Sequence, residues 1–173
     1  MDFARDPTYF KEVATAYIVP LVRKGVPSLF ADLKPLYADA AKAAALGELF
    51  AAWLAALEAT GTLPGESAPE LPSSIMWIRV LLAQHLDKAG DSSGALAQID
   101  LAIAHTPTLL DLYMIKARVY KHAGALALAS EWMDSARQMD LADRYLNTKA
   151  TRYMLRNNQV DTAAKTIALF TKD

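Results

Sequence analysis

From residue 75 onward the chain repeats with a period of 34 positions, and this period restricts the possible folds more than any other feature of the sequence. Small residues recur at that offset: Ala83, Gly90, Ala95 and Ala102 recur as Ala117, Gly124, Ala129 and Ala136. A 34-residue period with small residues at fixed positions is typical of the tetratricopeptide helix–turn–helix unit. The pattern therefore predicts an all-α fold, a tetratricopeptide-repeat α-solenoid of stacked antiparallel helix pairs.

The distribution of proline and glycine predicts three parts in the chain. Residues 61–74 hold three prolines and two glycines, a composition that no helix tolerates, and we expect a linker there. We expect N-terminal helices forming a partial solenoid over 1–60 and about three repeats over 75–173. Ser28, and either Ser73 or Ser74, are expected to cap the helices that follow them.

Bulk composition excludes several classes of protein. The net charge of −1 gives no general attraction for nucleic acid or for an anionic membrane. The apolar stretch 40–59 is interrupted by Lys42, Glu48 and Glu58, which argues against a membrane span. The N-terminus lacks the apolar core of a signal peptide, and the chain has no cysteine. We therefore expect a cytoplasmic location without a membrane partner.

Catalytic and metal-binding motifs are missing from the sequence. It contains no phosphate loop of the form GxxxxGK[ST], no HExxH pair and no GxSxG nucleophile turn. Its three histidines, His85, His105 and His122, are too scattered for a metal site. We therefore predict that the chain is not an enzyme.

One basic cluster within the repeats is a candidate binding site. Residues 116–156 hold eight Lys/Arg against four Asp/Glu. Positions 34 apart lie side by side on neighbouring units, which pairs Arg118 with Arg152 and His122 with Arg156. The predicted cationic face comprises Arg118, Lys121, His122, Lys149, Arg152, Tyr153 and Arg156. Such a face suits phosphate or carboxylate groups, and an ordinary solvated helix face is the alternative.

The repeats contain sequence motifs that are more specific than the general tetratricopeptide pattern. Tyr120–Gly124 reads YKHAG, Ala142–Asn147 reads ADRYLN, and Lys149–Asn157 reads KATRYMLRN. Together with RKGVPSLFADLKPLY near the start, these segments closely resemble the auxiliary subunit family of the eukaryotic N-terminal acetyltransferase A (NatA) complex. Members of that family are far longer, so the chain resembles an internal segment.

The resemblance implies a non-catalytic scaffold. Such subunits wrap the catalytic acetyltransferase, which holds the acetyl-CoA site, and dock the complex at the ribosomal exit tunnel for co-translational N-terminal acetylation. The family also binds inositol hexakisphosphate where the two subunits meet. By resemblance, the contacts in this chain are Arg118, Lys121, His122, Lys149 and Tyr153, with Arg144 and Arg156 nearby.

A second hypothesis comes from another class of protein. The same cationic face is compatible with a generic tetratricopeptide adaptor that clamps the acidic tail of a peptide. The two hypotheses differ in the ligand that stabilises the chain, a polyphosphate or an acidic peptide.

Overall fold

The computed structural model describes residues 7–171, and this part of the chain consists of helices and turns without a β-strand. The helices are α1 Pro7–Lys24, α2 Leu29–Leu33, a 3₁₀ helix Lys34–Ala38, α3 Ala40–Thr60, α4 Pro72–Ala89, α5 Ser92–His105, α6 Leu110–His122, α7 Leu126–Met139, α8 Arg144–Arg156 and α9 Val160–Ala168. The predicted all-α fold class is confirmed. The chain divides into two compact units, residues 1–89 and 90–173.

In the first unit, α3 packs against α1 and α4 around one apolar core. Asp39 caps α3 by accepting hydrogen bonds from the backbone N–H groups of Ala41 and Lys42, and Gly61 ends the helix in the left-handed region at φ 72°. One apolar face of this helix is buried, with Leu46 and Phe50 fully excluded from solvent.

Helix α3 is the one helix in the described residues whose length and composition would also suit a membrane span, with a mean hydropathy of 1.4. Its large apolar side chains face the core of the unit, whereas exposed positions include Ala44, Ala51 and Ala55. The apolar composition therefore follows from a helix that is buried on one face and covered with small side chains on the other.

The segment between α3 and α4 is shorter than the predicted linker. Helix α4 begins at Pro72, so the non-helical segment is 61–71 rather than 61–74. Proline fits the first turn of a helix because it has no N–H group to leave unpaired. Ser74 therefore lies inside α4, where its hydroxyl donates to Glu70 at 2.9 Å. The predicted serine caps are wrong, because Ser28 also makes no capping hydrogen bond.

In the second unit, each helix from α5 to α8 packs against the next helix in the chain. The repeated alanines lie in these contacts and are at most 1% exposed: Ala95, Ala102, Ala117, Ala129, Ala136 and Ala163. Their small side chains let neighbouring helices approach closely, as the period predicts. The stacked helix pairs of the tetratricopeptide pattern are therefore present in this unit.

The turns that follow α4, α6 and α8 repeat one backbone conformation. Gly90, Gly124 and Asn158 occupy equivalent positions and have φ angles of 90°, 79° and 56°. Glycine adopts this left-handed conformation without steric cost, and asparagine is among the residues that tolerate it best. The recurrence of Gly and Asn at this position thus has a backbone cause.

The boundary between the two units falls within the first predicted repeat. Helix α4, which the 34-residue period assigns to that repeat, packs against α1 and α3 in the first unit. Helix α5 packs against α6 in the second unit.

Candidate functional site

Helix α8 carries most of the predicted site residues, and its N-terminus fixes their orientation. Asp143 accepts hydrogen bonds from the backbone N–H groups of Tyr145 at 2.6 Å and Leu146 at 3.2 Å. Leu146 and Ala150 are fully buried against the core of the second unit. This anchoring turns the opposite face of α8 outward.

An open groove of about 380 Å³ lies along the outward face of α8. We call it the α8 groove; its lining residues are Arg144, Tyr145, Thr148, Lys149 and Arg152. These positions are linked by spacings of three and four residues, so they share a helix face. The groove therefore brings together three of the predicted cations.

The ammonium of Lys149 is held by neutral partners. Its Nζ donates a hydrogen bond of 2.8 Å to the hydroxyl of Tyr145 and lies 4.9 Å from the centroid of that ring. It also lies 3.7 Å from the Sδ atom of Met114 on α6. These contacts orient the ammonium without neutralising its charge.

The two arginines of the α8 groove differ from other arginines in their pairing. Arg23, Arg79 and Arg137 each form an ion pair with a carboxylate. Within residues 8–171, whose side chains the structure describes, neither Arg144 nor Arg152 forms one, and both are exposed. Their guanidinium groups are therefore available to an external anion.

Tyr153 and Arg156 lie on the next turns of α8 and do not line the α8 groove. Tyr153 is only 6% exposed and belongs to the core of the second unit. The guanidinium carbon of Arg156 lies 5.6 Å from the centroid of the Tyr153 ring, a cation–π contact. The Tyr153 ring thus packs in this core, and its assignment to the ligand stays a prediction.

The predicted residues of α6 occupy its last two turns. Arg118 and Lys121 are half-buried and His122 is exposed. None of the three lines the α8 groove. The predicted side-by-side pairing of Arg118 with Arg152 and of His122 with Arg156 stays a prediction.

Lys116 is one of the basic residues counted in 116–156, but its charge does not lie on the surface of the protein. Its side chain is 7% exposed, and its Nζ lies 2.5 Å from a carboxylate oxygen of Asp100. The same atom lies 3.5 Å from the ring centroid of Trp132. Lys116 therefore joins three helices inside the second unit.

Sequence reasoning missed Tyr145, Thr148 and Met114 as neighbours of the site. Tyr145 and Lys149 are four residues apart, a spacing at which side chains on a helix contact each other. The contact between Tyr145 and Lys149 could therefore have been predicted from the sequence. Met114 lies 35 positions before Lys149, one residue away from the repeat period.

The chemistry of this arrangement is that of anion binding. The three cationic side chains of the groove carry positive charge and hydrogen-bond donors but no acceptors. The hydroxyl oxygens are the acceptors among its lining side chains. Among the described residues, no group of His, Cys, Asp and Glu side chains is arranged to hold a metal ion. The geometry suits a ligand with several phosphate or carboxylate groups.

Comparisons with known proteins give the chain a family. The model of the family described as N-terminal acetyltransferase A, auxiliary subunit, matches residues 1–173. The chain is 47% identical over its full length to the N-terminal acetyltransferase A complex auxiliary subunit NAA15 of Arabidopsis thaliana. It is 40% identical over 168 residues, 95% of its length, to N-alpha-acetyltransferase 16, NatA auxiliary subunit, of Mus musculus. It spans 19% of the length of each of these relatives.

A solved structure shares the fold. The structure of Naa15/Naa10 bound to HypK-THB matches 99% of this chain with a TM-score of 0.82 and 36% sequence identity, and the match covers 24% of the solved chain. The helical-repeat fold and the family expected from the repeat motifs are thereby confirmed. Both relatives bear the name of auxiliary subunits.

Proposed function

This chain belongs to the family of N-terminal acetyltransferase A auxiliary subunits, and from that premise we propose that it is a non-catalytic scaffold segment that binds the catalytic acetyltransferase subunit. The solved relative supports this role because it was determined together with Naa10, which we take as the counterpart of the catalytic partner. In this proposal acetyl-CoA binds to the partner alone, in keeping with the missing catalytic motifs.

We further propose that the cationic face takes inositol hexakisphosphate. The observation that carries this assignment is the α8 groove, where Arg144 and Arg152 form no ion pair within the described residues and Lys149 touches only neutral groups. Clustered cations repel one another, and a bound polyanion relieves that repulsion. The proposed site is completed by Arg118, Lys121 and His122 on α6 and by Tyr153 and Arg156 on α8.

The cellular setting follows from the same premise. We propose that the scaffold acts in the cytoplasm and holds the catalytic subunit at the ribosome, where N-terminal acetylation would accompany translation. We place this chain in that setting as one segment of the longer scaffold, since it spans 19% of its relatives.

The ligand assignment can be tested by thermal unfolding with and without inositol hexakisphosphate. A ligand that binds only the folded chain raises its melting temperature. We expect the wild type to be stabilised and Lys149→Glu to lose most of the shift, because the change removes a cation and adds a repelling charge. The control is Lys165→Glu, which makes the same change at an exposed position of α9 and should keep the shift.

The scaffold role is tested by capture of the catalytic acetyltransferase on the immobilised chain. We expect capture to increase when inositol hexakisphosphate is present. The alternative role, an adaptor for acidic peptide tails, predicts another result. If an acidic peptide stabilises the chain and inositol hexakisphosphate does not, the polyphosphate assignment is wrong.

A further inference from the structure

We propose that Tyr145 is a ligand-contacting residue of the polyanion site, where its hydroxyl donates a hydrogen bond to an anionic oxygen and at the same time positions the Lys149 ammonium. Neither the repeat geometry nor the family resemblance assigned a role to this residue. The inference rests on the proposed function, because it takes the α8 groove as the place where a polyphosphate binds.

The direction of the hydrogen bond between the two side chains is fixed by their chemistry. An ammonium group has three donors and no acceptor, so Lys149 donates and the Tyr145 oxygen accepts at 2.8 Å. The phenol keeps its own O–H group, which must point away from the ammonium. That O–H group is available as a donor to a third partner.

The position of Tyr145 places this donor in the groove. The side chain is 61% exposed and lines the α8 groove beside Arg144 and Lys149. Its backbone N–H is held by Asp143 at 2.6 Å, which anchors the first turn of α8. An anionic oxygen that binds the Lys149 ammonium would therefore lie within reach of the Tyr145 hydroxyl.

The other hydroxyl of the groove cannot take this role in its present conformation. Thr148 Oγ1 donates its single proton to the backbone carbonyl of Arg144 at 2.9 Å. It can only accept a further hydrogen bond, which an anion does not offer. Within the groove, Tyr145 is thus the uncharged side chain with a donor to spare.

The experiment is isothermal titration of the chain with inositol hexakisphosphate over a range of salt concentrations. Tyr145→Phe keeps the ring and removes the hydroxyl. We expect it to weaken binding about tenfold to a hundredfold, the usual effect of losing one hydrogen bond to a charged group. The salt dependence of the affinity should not change, because no cation is removed and screening acts on charges.

Two further variants complete the design. Lys149→Gln should weaken binding and also flatten its salt dependence, because it removes a charge. Tyr17→Phe removes a half-exposed phenol from α1, outside the groove, and should bind like the wild type. The melting temperature of ligand-free Tyr145→Phe should equal that of the wild type, since the hydroxyl lies at an exposed surface.

The possible failures can be told apart. If the wild type does not bind inositol hexakisphosphate, the proposed function loses its ligand. If the wild type binds and Tyr145→Phe binds equally well, the role of Tyr145 is wrong while the site stands. An equal loss in Tyr17→Phe, or a changed salt dependence in Tyr145→Phe, also overturns the inference.

Discussion

At the residue scale, two lysines of the second unit show how neighbours decide what a charge can do. Lys116 is buried between a carboxylate of Asp100 and the face of Trp132, so its charge is already paired within the protein. Lys149 is oriented by a phenol and a thioether, so its charge stays available. Residue type alone does not distinguish the two roles.

His85 in the first unit has a similarly specific environment. Its Nδ1 forms a 2.9 Å hydrogen bond with the hydroxyl of Tyr37, and the edge of its ring meets Phe50 at 6.2 Å between centroids. Burial lowers the pKa of His85 below its usual value because the charged imidazolium loses solvation. The same burial raises the pKa of the Tyr37 hydroxyl.

We predict that His85 makes the protein less stable as the pH is lowered. Its folded-state pKa lies below its unfolded-state value of about 6.5, so the unfolded chain binds the proton more readily. The free energy of unfolding should be unaffected by this group above that value and decrease as the pH falls below it. Urea unfolding of the wild type between neutral and mildly acidic pH measures this slope.

The slope assigned to His85 has a direct control. His85→Asn removes the titrating group and should flatten the dependence over this interval, whereas His105→Asn alters an exposed imidazole and should not. An unchanged slope in His85→Asn would show that other groups cause it.

At the element scale, α3 and α4 meet where a glycine faces an imidazole. A Cβ atom at Gly47 would lie 2.4 Å from His85 Nε2, far inside contact distance. Tyr37 and Phe50 hold the imidazole from other sides, which limits its retreat. Gly47 therefore sets how closely the two helices pack.

We predict that Gly47→Ala destabilises the protein although alanine is the better helix former. Alanine gains about 1 kcal/mol in helix propensity, whereas overpacking a core costs about 1–3 kcal/mol. A net loss of about 1 kcal/mol is expected in urea unfolding. In a His85→Ala background the same change should be stabilising by about 0.5–1 kcal/mol. A loss of equal size in both backgrounds would contradict the proposed contact.

The elements that follow backbone rules could be predicted from the sequence. The period placed the turn residues Gly90 and Gly124, which adopt the left-handed conformation, and the alanines that allow close packing. The start of α4 was predicted less well, because Pro72 can begin a helix as well as interrupt one.

The candidate site was only partly predictable for a different reason. Helical spacing placed Lys149 and Arg152 on one face, and both residues line the α8 groove. The burial of Tyr153 and the contact between Lys149 and Tyr145 depend on side-chain rotamers and on packing against other helices. The repeat period carries no information about either.

At the scale of the whole molecule, each compact unit has its own apolar core, and the segment 61–71, which is mostly exposed but buries Leu63, belongs to the first unit. Arg23 on α1 ties this segment down through ion pairs with Glu66 and Glu70. The hydrogen bond from Arg23 lowers the pKa of the Glu70 carboxyl. The segment between α3 and α4 is therefore a loop anchored to α1 rather than a flexible linker.

We predict that cutting this connection leaves the first unit assembled. A glutamate-specific protease should cut first at Glu66, which is non-helical and exposed. The fragments should elute together, because Ile78 and Leu81 of α4 share one core with Leu46 and Phe50 of α3. Size-exclusion chromatography followed by denaturing electrophoresis tests this result. Separate elution of the fragments would show that chain continuity, rather than packing, holds α4 in place.

The neutral neighbours of Lys149 have a consequence for the speed of ligand exchange. Because the phenol of Tyr145 and the thioether of Met114 carry no charge, the positive potential of Lys149 extends into the solvent around the groove. Such a potential increases the association rate of negatively charged molecules. Ionic strength would then set how quickly an anion reaches the α8 groove, whereas short-range contacts would set how long it remains. An anion that binds in the α8 groove would then arrive rapidly and could still dissociate slowly.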